Sequence, residues 1–296
     1  WREGMSAEEA TPYAEEALRY VREAADKSLR EPLLLASFGR ILAASGATDD
    51  YVRLVREALT VAEIDRDPVH LGTVGVMLSQ AYWLSGRLTE AIAANDAALV
   101  AFAERDRRHN PVDAGPTVDQ VFGFDVEHWT KCLRPRILVW LGRFDEARMW
   151  IERMTQATVE ATDLVVRFIP HCAAVEMAWC RGETALAWDH ARIVKDFAER
   201  SGTPYLHVMA QTCLGLAAAT GGDYMAAEGF LAEALDVARR SKSALEFEAR
   251  LLAHLADTHE RAGHKARALD VAREAIDVAR RRTDRLGECH ATSVAV

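Results

Sequence analysis

The sequence is poor in lysine and carries no surplus of positive charge. Only five of its 36 basic residues are lysine, and 45 acidic residues bring the formal net charge to −9. A general nucleic-acid binder needs excess cations to neutralise phosphates, so this balance argues against that class. No apolar run approaches the ~20 residues that cross a bilayer. We therefore expect neither a nucleic acid nor a membrane as a partner.

Cysteine is also scarce, and its spacing argues against a disulfide framework. The five cysteines are an odd number without a C-x-x-C pair, and they are Cys132, Cys172, Cys180, Cys213 and Cys289. Most lie in apolar segments, where a thiol packs as a small hydrophobic group and stays reduced. Because the chain also begins at Trp1 rather than Met, we expect a piece of a longer cytoplasmic protein.

The short motifs that carry catalysis are missing. The sequence has no phosphate-binding G-x-x-x-x-G-K-[ST] loop, no G-x-S-x-G elbow, no G-x-G-x-x-G loop and no calcium loop. The nearest match to the zinc motif H-E-x-x-H, His259 to His264, is one residue too long and contains Gly263. His128 and Cys132 share a helix face at i and i+4, but two ligands do not make a metal site. We therefore predict no catalytic residue, no metal, no cofactor and no enzymatic activity.

One pattern recurs along the chain: an apolar segment ends in glycine, and alanine follows that glycine by five residues. The six glycines are spaced by 40, 56, 40, 40 and 41 residues, and they are Gly46, Gly86, Gly142, Gly182, Gly222 and Gly263. In the first copy Tyr51 replaces the alanine. Glycine accepts the left-handed conformation that ends a helix, and a small residue lets two helices approach closely. The pattern therefore predicts tandem helix-turn-helix units.

These units predict an all-α fold, a tetratricopeptide-like α-solenoid. We expect a right-handed superhelix of antiparallel helix pairs with a period of about 40 residues, forming a single repeat domain over residues 1–296. The predicted helices are 12–27, 31–45, 49–64, 68–85, 88–105, 123–141, 144–160, 164–181, 183–199, 204–220, 223–240, 245–262 and 264–282, with a last one from 286. Segment 106–122, which contains Pro111 and Pro116, is expected to form an inserted loop between the second and third units.

Several segments carry a family resemblance. They are GMSAEEA (4–10), YVRLVREALTVAE (51–63), GFDVEHW (123–129), LVWLGRFDEAR (138–148), SALEFEARLLAHLAD (243–257) and ARRRTDRLGECHA (279–291). Together they resemble the C-terminal tetratricopeptide region of large bacterial proteins that join a class III adenylate/guanylate cyclase domain to a signal-transduction ATPase. The resemblance covers nearly the whole chain. It implies a sensor or scaffold arm that lacks the catalytic parts.

Residues at one offset from equivalent turns point in equivalent directions when the units stack regularly. Six residues before the glycine, five of the six copies carry a polar side chain within an apolar helix, and tryptophans stand nearby. We expect one concave groove lined by Arg40, Gln80, Trp83, Trp129, Arg136, Glu176, Trp179 and Asp257. Arg136 is the predicted anchor, because a guanidinium holds a carboxylate or phosphate through two hydrogen bonds. The alternative is that these side chains are solvated or form salt bridges between neighbouring repeats.

The sequence thus favours a non-catalytic binding module. A protein segment or a small effector is expected in the groove, and its presence would be passed to fused or partner catalytic domains. One alternative is the sensor arm of a large ATP-dependent transcription activator, which the flanking domains of the full gene would distinguish. The other is an enzyme built on a helical scaffold, which raised carboxylate pKa values in the groove would favour.

Overall fold

The computed structural model describes residues 6–23, 30–108, 125–157 and 163–296. These ranges contain fourteen α-helices and no strand, which confirms the predicted all-α fold. In chain order the helices are α1 (Ala7–Glu23), α2 (Arg30–Ala44), α3 (Thr48–Asp65), α4 (Pro68–Leu84), α5 (Leu88–Arg108), α6 (Val126–Trp140), α7 (Phe144–Ala157), α8 (Leu164–Arg181), α9 (Thr184–Ser201), α10 (Pro204–Thr220), α11 (Tyr224–Ser241), α12 (Glu248–Arg261), α13 (Lys265–Arg282) and α14 (Arg285–Ala295). A 3₁₀ turn, Leu245–Phe247, precedes α12.

The six turn glycines occupy equivalent positions between paired helices. All have positive φ, from 72° to 96°. After each glycine, the next residue donates its N–H to the carbonyl five residues earlier; for example, Arg143 N lies 2.9 Å from Leu138 O. This Schellman closure needs the left-handed conformation that glycine adopts without strain. The recurring glycine pattern therefore identified the turns correctly.

The helices form two layers with different environments. The first helices of the pairs (α2, α4, α6, α8, α10 and α12) contact one another along the array, and each also contacts the second helices on either side of it in the chain. Fourteen of the 17 residues of α4 are buried, whereas α9 buries only a stripe of five residues. The second helices thus expose one polar face to water. The first helices are enclosed on nearly all sides, and together they form a tetratricopeptide-like solenoid.

Close approach within each pair depends on small residues. The alanines five residues after the glycines are all buried, as is Tyr51 in the first unit. Gly39 makes room for that tyrosine, because a Cβ on Gly39 would lie 2.7 Å from its ring. In the fifth unit, a Cβ on Gly215 would lie 2.6 Å from Leu231. Where one helix of a pair places a large side chain at the contact, as with Tyr51 and Leu231, the facing helix has a glycine.

The last units of the array return to the first two. Arg250 Nη2 donates hydrogen bonds to the carbonyls of Trp83 and Leu84, at 3.1 and 2.8 Å. Thr48 Oγ1 donates to the carbonyl of Arg282, and the Arg282 guanidinium reaches the carbonyl of Ser45 at 3.3 Å. We call this contact the seam; it joins the turn ends of units 1 and 2 to residues 245–250 and 282–286. A constant rotation per unit brings an array back onto itself after one superhelical turn.

Several expected bounds of helices and loops need correction or fall outside the described residues. Helix α1 starts at Ala7 rather than at 12, because Ser6 and Glu9 form a capping box in which Ser6 N and Glu9 Oε2 are 2.9 Å apart. Helix α5 continues to Arg108, and the expected loop 106–122 lies outside the described residues from 109 onward. Across the described ranges, no helix combines the length and hydropathy needed to cross a membrane.

Candidate functional site

Four of the polar residues that stand six positions before a turn glycine lie together on the inner face of the array. Arg40, Gln80, Arg136 and Glu176 come from α2, α4, α6 and α8, and they are between 3% and 8% exposed. They were expected in an open groove that lets charged groups meet water. The structure differs from that expectation, because the seam brings the last unit over the inner face and encloses it.

Arg40 is held by residues from the far end of the chain. Its Nη2 donates to Glu246 Oε1 at 2.7 Å and to the hydroxyl of Tyr205 at 3.2 Å. Burial opposes the charge of Arg40, but Glu246 together with Tyr205 and Tyr51 outweighs it and raises the arginine pKa. Burial also raises the pKa of Tyr205 to about 12, which keeps the phenol protonated as a hydrogen-bonding group. Arg40 therefore stays charged at neutral pH inside the protein.

Arg136, the predicted anchor, is paired within the array. Its Nε lies 3.2 Å from Glu176 Oε2, and its Nη2 donates to Oε1 of the same carboxylate. Burial opposes the Arg136 charge, but Glu176 together with Cys172 and Tyr205 outweighs it and raises the arginine pKa. The guanidinium also stacks 4.4 Å from the ring centre of Trp83. This is the inter-repeat salt bridge that the sequence left open as the alternative to ligand binding.

Trp83 is the centre of the enclosed face. Arg250, which belongs to α12, lies over the Trp83 ring with its guanidinium carbon 5.0 Å from the ring centre. The centres of the Trp83 and Phe247 rings are 5.8 Å apart. Arg250 also forms a two-oxygen pair with Asp284, its Nε lying 3.0 Å from Oδ2. Two guanidiniums and a phenylalanine thus surround one indole, an arrangement that cation–π attraction stabilises by roughly 0.5–2 kcal/mol per contact.

A small cavity of about 30 Å³ remains beside this cluster. Its walls include Arg136, Glu176, Phe247, Arg250 and His254, from α6, α8, α12 and the 3₁₀ turn. One water molecule needs ~10–15 Å³ of such space. The cavity therefore accommodates a group of a few atoms and not a whole effector.

The other predicted residues lie farther from the centre. The Trp179 ring meets His254 edge-on at 4.8 Å between centroids. Trp129 is buried in α6, seven residues and about 10 Å along the helix from Arg136. Asp257 pairs with Arg261 at 2.9 Å at the rim. Of the eight predicted residues, Arg40, Gln80, Trp83, Arg136 and Glu176 share the enclosed face, Trp179 borders it, and Trp129 and Asp257 do not join it.

Sequence reasoning missed the residues that close the inner face. Glu246 is 1% exposed and Phe247 is also buried, in a junction between two helical units. Tyr205, Arg250 and His254 complete this set. The sequence did contain a signal for these residues: in LEFE (245–248) an aromatic residue stands between two glutamates. An aromatic side chain at the start of a helix indicates that this segment packs against another part of the protein.

The weak metal patterns have other environments. His128 Nδ1 lies 3.5 Å from the Asp125 carboxylate. Cys132 is buried, and burial raises the pKa of its thiol, which disfavours the thiolate that binds metals. The rings of His259 and His264 are 6.2 Å apart. Within the part of the chain that the structure describes, no three His, Cys, Asp or Glu side chains form a metal-binding group.

Comparison with known proteins gives the same class of fold. The family model described as anaphase-promoting complex subunit 5 matches residues 213–294. No curated protein matches the chain. The family match is thus confined to the C-terminal helices. Together with the fold, it identifies the chain as a tetratricopeptide-like helical repeat module.

Two solved structures are similar along nearly the whole chain. One is PH0952 from Pyrococcus horikoshii, a signal transduction ATPase with numerous domains and a tetratricopeptide repeat sensor, with a TM-score of 0.52 at 12% identity over 97% of this chain. The other is the apo form of RapI, with a TM-score of 0.50 at 15% identity over 97% of this chain and 75% of RapI. This chain spans only 43% of the length of PH0952. At these identities the likeness concerns the fold.

Proposed function

We propose that the chain is a non-catalytic binding module, the sensor or scaffold arm of a larger bacterial signalling protein related to nucleotide cyclase–ATPase fusions. Its inner face engages a protein segment or a small effector and passes that state to fused or partner catalytic domains. The resemblance of the sequence to such fusions supports this origin. The fold of PH0952, in which a tetratricopeptide repeat sensor accompanies an ATPase, supports the division of labour.

The observation that carries the proposal is the chemistry of the enclosed face. Three first helices contribute an arginine to this face: Arg136 and Arg250 lie over the Trp83 ring, which also meets Phe247, and Arg40 holds the carboxylate of Glu246. Arginine and tryptophan are the residues that most often dominate binding energy at interfaces. The face therefore suits an acidic segment with an aromatic side chain, and Glu246 with Phe247 occupies the position of such a segment.

A partner segment can bind this face only after Glu246 and Phe247 have left it. The connection before the 3₁₀ turn contains Ala244 with φ of 57°, a left-handed conformation that costs an alanine roughly 1–2 kcal/mol. Only a short turn and its side chains need to leave the face, since α12 follows at Glu248. An incoming carboxylate then replaces Glu246 beside Arg40, and an aromatic ring replaces Phe247 on Trp83.

The proposal is tested with an array of short acidic peptides carrying Phe or Trp, each paired with a copy in which Gln replaces Glu. We expect the acidic peptides to bind the purified protein and the Gln copies to bind more weakly. Arg136→Ala should weaken binding by about 1.5–3 kcal/mol, because it removes the guanidinium that stacks on Trp83 where the incoming aromatic ring lies. Fluorescence anisotropy of labelled peptides measures the change.

Loss of Arg136 alone leaves Glu176 buried without its partner, so a second variant separates binding from folding. The double variant R136M/E176M replaces the pair by apolar side chains, which are tolerated well where a buried pair is removed as a whole. Arg143→Ala, an exposed arginine, is the control and should bind like the parent. Parent-like peptide affinity in both Arg136 variants would contradict the proposal.

A further inference from the structure

The cavity beside Arg136 has walls that lack hydrogen-bond acceptors for their donors. Trp140 and His254 line it together with Arg136, Glu176 and Arg250. Trp140 Nε1 and His254 Nδ1 are buried and have no hydrogen-bond partner within the described residues, and His254 as a whole is only 5% exposed. An unsatisfied buried polar group costs roughly 1–3 kcal/mol. Two of them at one small cavity point to a group that accepts hydrogen bonds there.

The unused donors of the lining favour an anion. The lining contains two guanidiniums, those of Arg136 and Arg250, and one carboxylate, that of Glu176, while the carboxylate of Asp284 pairs with Arg250 from outside the cavity. Glu176 already accepts two hydrogen bonds from Arg136 through Nε and Nη2. The hydrogen bonds of Arg250 in the described residues use Nε and Nη2, so the Nη1 group of each arginine is left over. Guanidinium N–H groups hold planar oxyanions most strongly when two of them act together.

The size of the cavity limits the anion. A space of about 30 Å³ corresponds to roughly two water molecules at ~10–15 Å³ each. A planar carboxylate is of this size, whereas a tetrahedral phosphate with four oxygens is larger. The remainder of any longer ligand must extend away from the cavity, along the face that Phe247 covers.

We infer that this cavity is a carboxylate-binding site, in which Arg136 and Arg250 hold the two oxygens and Trp140 Nε1 and His254 donate to them. The inference deepens the proposed function by naming the group that the inner face recognises, and it rests on that proposal only for the identity of the full ligand. The carboxylate belongs either to a small free acid or to an acidic protein segment.

The test uses the full chain and sodium formate or acetate as probes, at constant ionic strength against sodium chloride. We expect a saturable rise in Tm with formate or acetate, and a smaller rise with phosphate. In ¹⁵N spectra, the indole N–H signal of Trp140, assigned from the variant Trp140→Phe, should shift with the same Kd. Trp150 and Trp188, on the second helices α7 and α9, serve as internal references.

Two variants test the individual donors. Trp140→Phe keeps a ring but removes the N–H, and His254→Phe removes the imidazole; each should weaken acetate binding about tenfold, since one hydrogen bond contributes about 1 kcal/mol or more. Trp188→Phe, on the outer helix α9, is the matched control and should leave the affinity unchanged. A Tm rise equal to that in chloride, or one retained in both variants, would show that the cavity holds only water.

The two proposals fail separately. If acetate binds and acidic peptides do not, the carboxylate site stands with a small acid as its ligand and the proposed segment binding is wrong. If acidic peptides bind through Arg136 without moving the Trp140 indole signal, the proposed function stands and the cavity site is wrong. If acidic peptides move that signal and acetate competes with them, the carboxylate of a protein segment is the ligand.

Discussion

The same glycine turn has two environments in this molecule. In units 3 to 6, a Cβ added at the turn glycine would meet nothing within 4 Å, and these residues are Gly142, Gly182, Gly222 and Gly263. In unit 2, a Cβ on Gly86 would lie 2.8 Å from Arg285 Cβ and 2.9 Å from Leu286 N. In unit 1, a Cβ on Gly46 would collide with the Arg282 guanidinium. The local motif is repeated six times, but only its first two copies are part of the seam.

This difference shows that one residue type serves two physical needs. In the later units glycine is required only for its backbone conformation, because its φ is positive. In the first two units it must also admit the last unit of the array. In an open solenoid, stability is approximately a sum of terms for single repeats and their neighbours. A seam adds a contact between units that are far apart in sequence, and it therefore couples the two ends.

The largest effect is expected from breaking the seam at Arg250. Arg250→Ala leaves the buried carboxylate of Asp284 without its counter-charge and removes the side-chain donor to the carbonyls of Trp83 and Leu84. Removing one partner of a buried pair costs about 3–5 kcal/mol. Urea unfolding at pH 7 measures the loss.

The control for this variant lies on the same helix. Arg261 is paired with Asp257 but 49% exposed, so Arg261→Ala should cost about 1 kcal/mol or less. Equal losses for the two arginines would mean that Arg250 has no special role and that the seam contributes little to stability.

A smaller effect separates the two kinds of turn. Gly142→Ala should cost only the left-handed strain of about 1–2 kcal/mol. Gly86→Ala carries the same strain and also forces Arg285 and Leu286 away, so we expect a total of roughly 2–4 kcal/mol, comparable to other overpacking substitutions. Hydrogen exchange of α14 should accelerate in Gly86→Ala and not in Gly142→Ala. If α14 exchanges alike in both variants, the seam does not hold the C-terminal helix.

The features that repeat in every unit could be predicted from the sequence. The glycine spacing located the turns, and the shared offset brought Arg40, Gln80, Arg136 and Glu176 to one face. The enclosure of that face depends instead on the rotation between units, summed over the whole array. No short window of sequence encodes that sum, so Glu246 was predicted as part of a helix over 245–262 and not as a residue of the inner face.

The smallest effect is expected from acid, in a unit that lies outside the seam. His171 on α8 and His190 on α9 face each other with their Nδ1 atoms 2.7 Å apart. Burial, followed by the nearby charges of His190 and Arg167, lowers the pKa of His171 to about 4. Burial also lowers the pKa of His190. The pair is therefore neutral in the folded protein at neutral pH.

The sign of the pH effect follows from this depression. An unfolded histidine has a pKa near 6.5, so between pH 6.5 and 4 the unfolded state binds more protons than the folded state does. The stability contribution of His171 is complete above that window and is lost as the pH falls through it, by roughly 1–2 kcal/mol at pH 5. His171→Gln should show a shallower loss between pH 7 and pH 5 in urea unfolding, and identical profiles would contradict the assignment. If the seam couples the ends, acid should also lower the hydrogen-exchange protection of α14 in the parent, measured relative to the intrinsic exchange rate at each pH. In the Gly86→Ala background, where the seam is open, the same acidification should leave α14 unchanged and act only near α8 and α9.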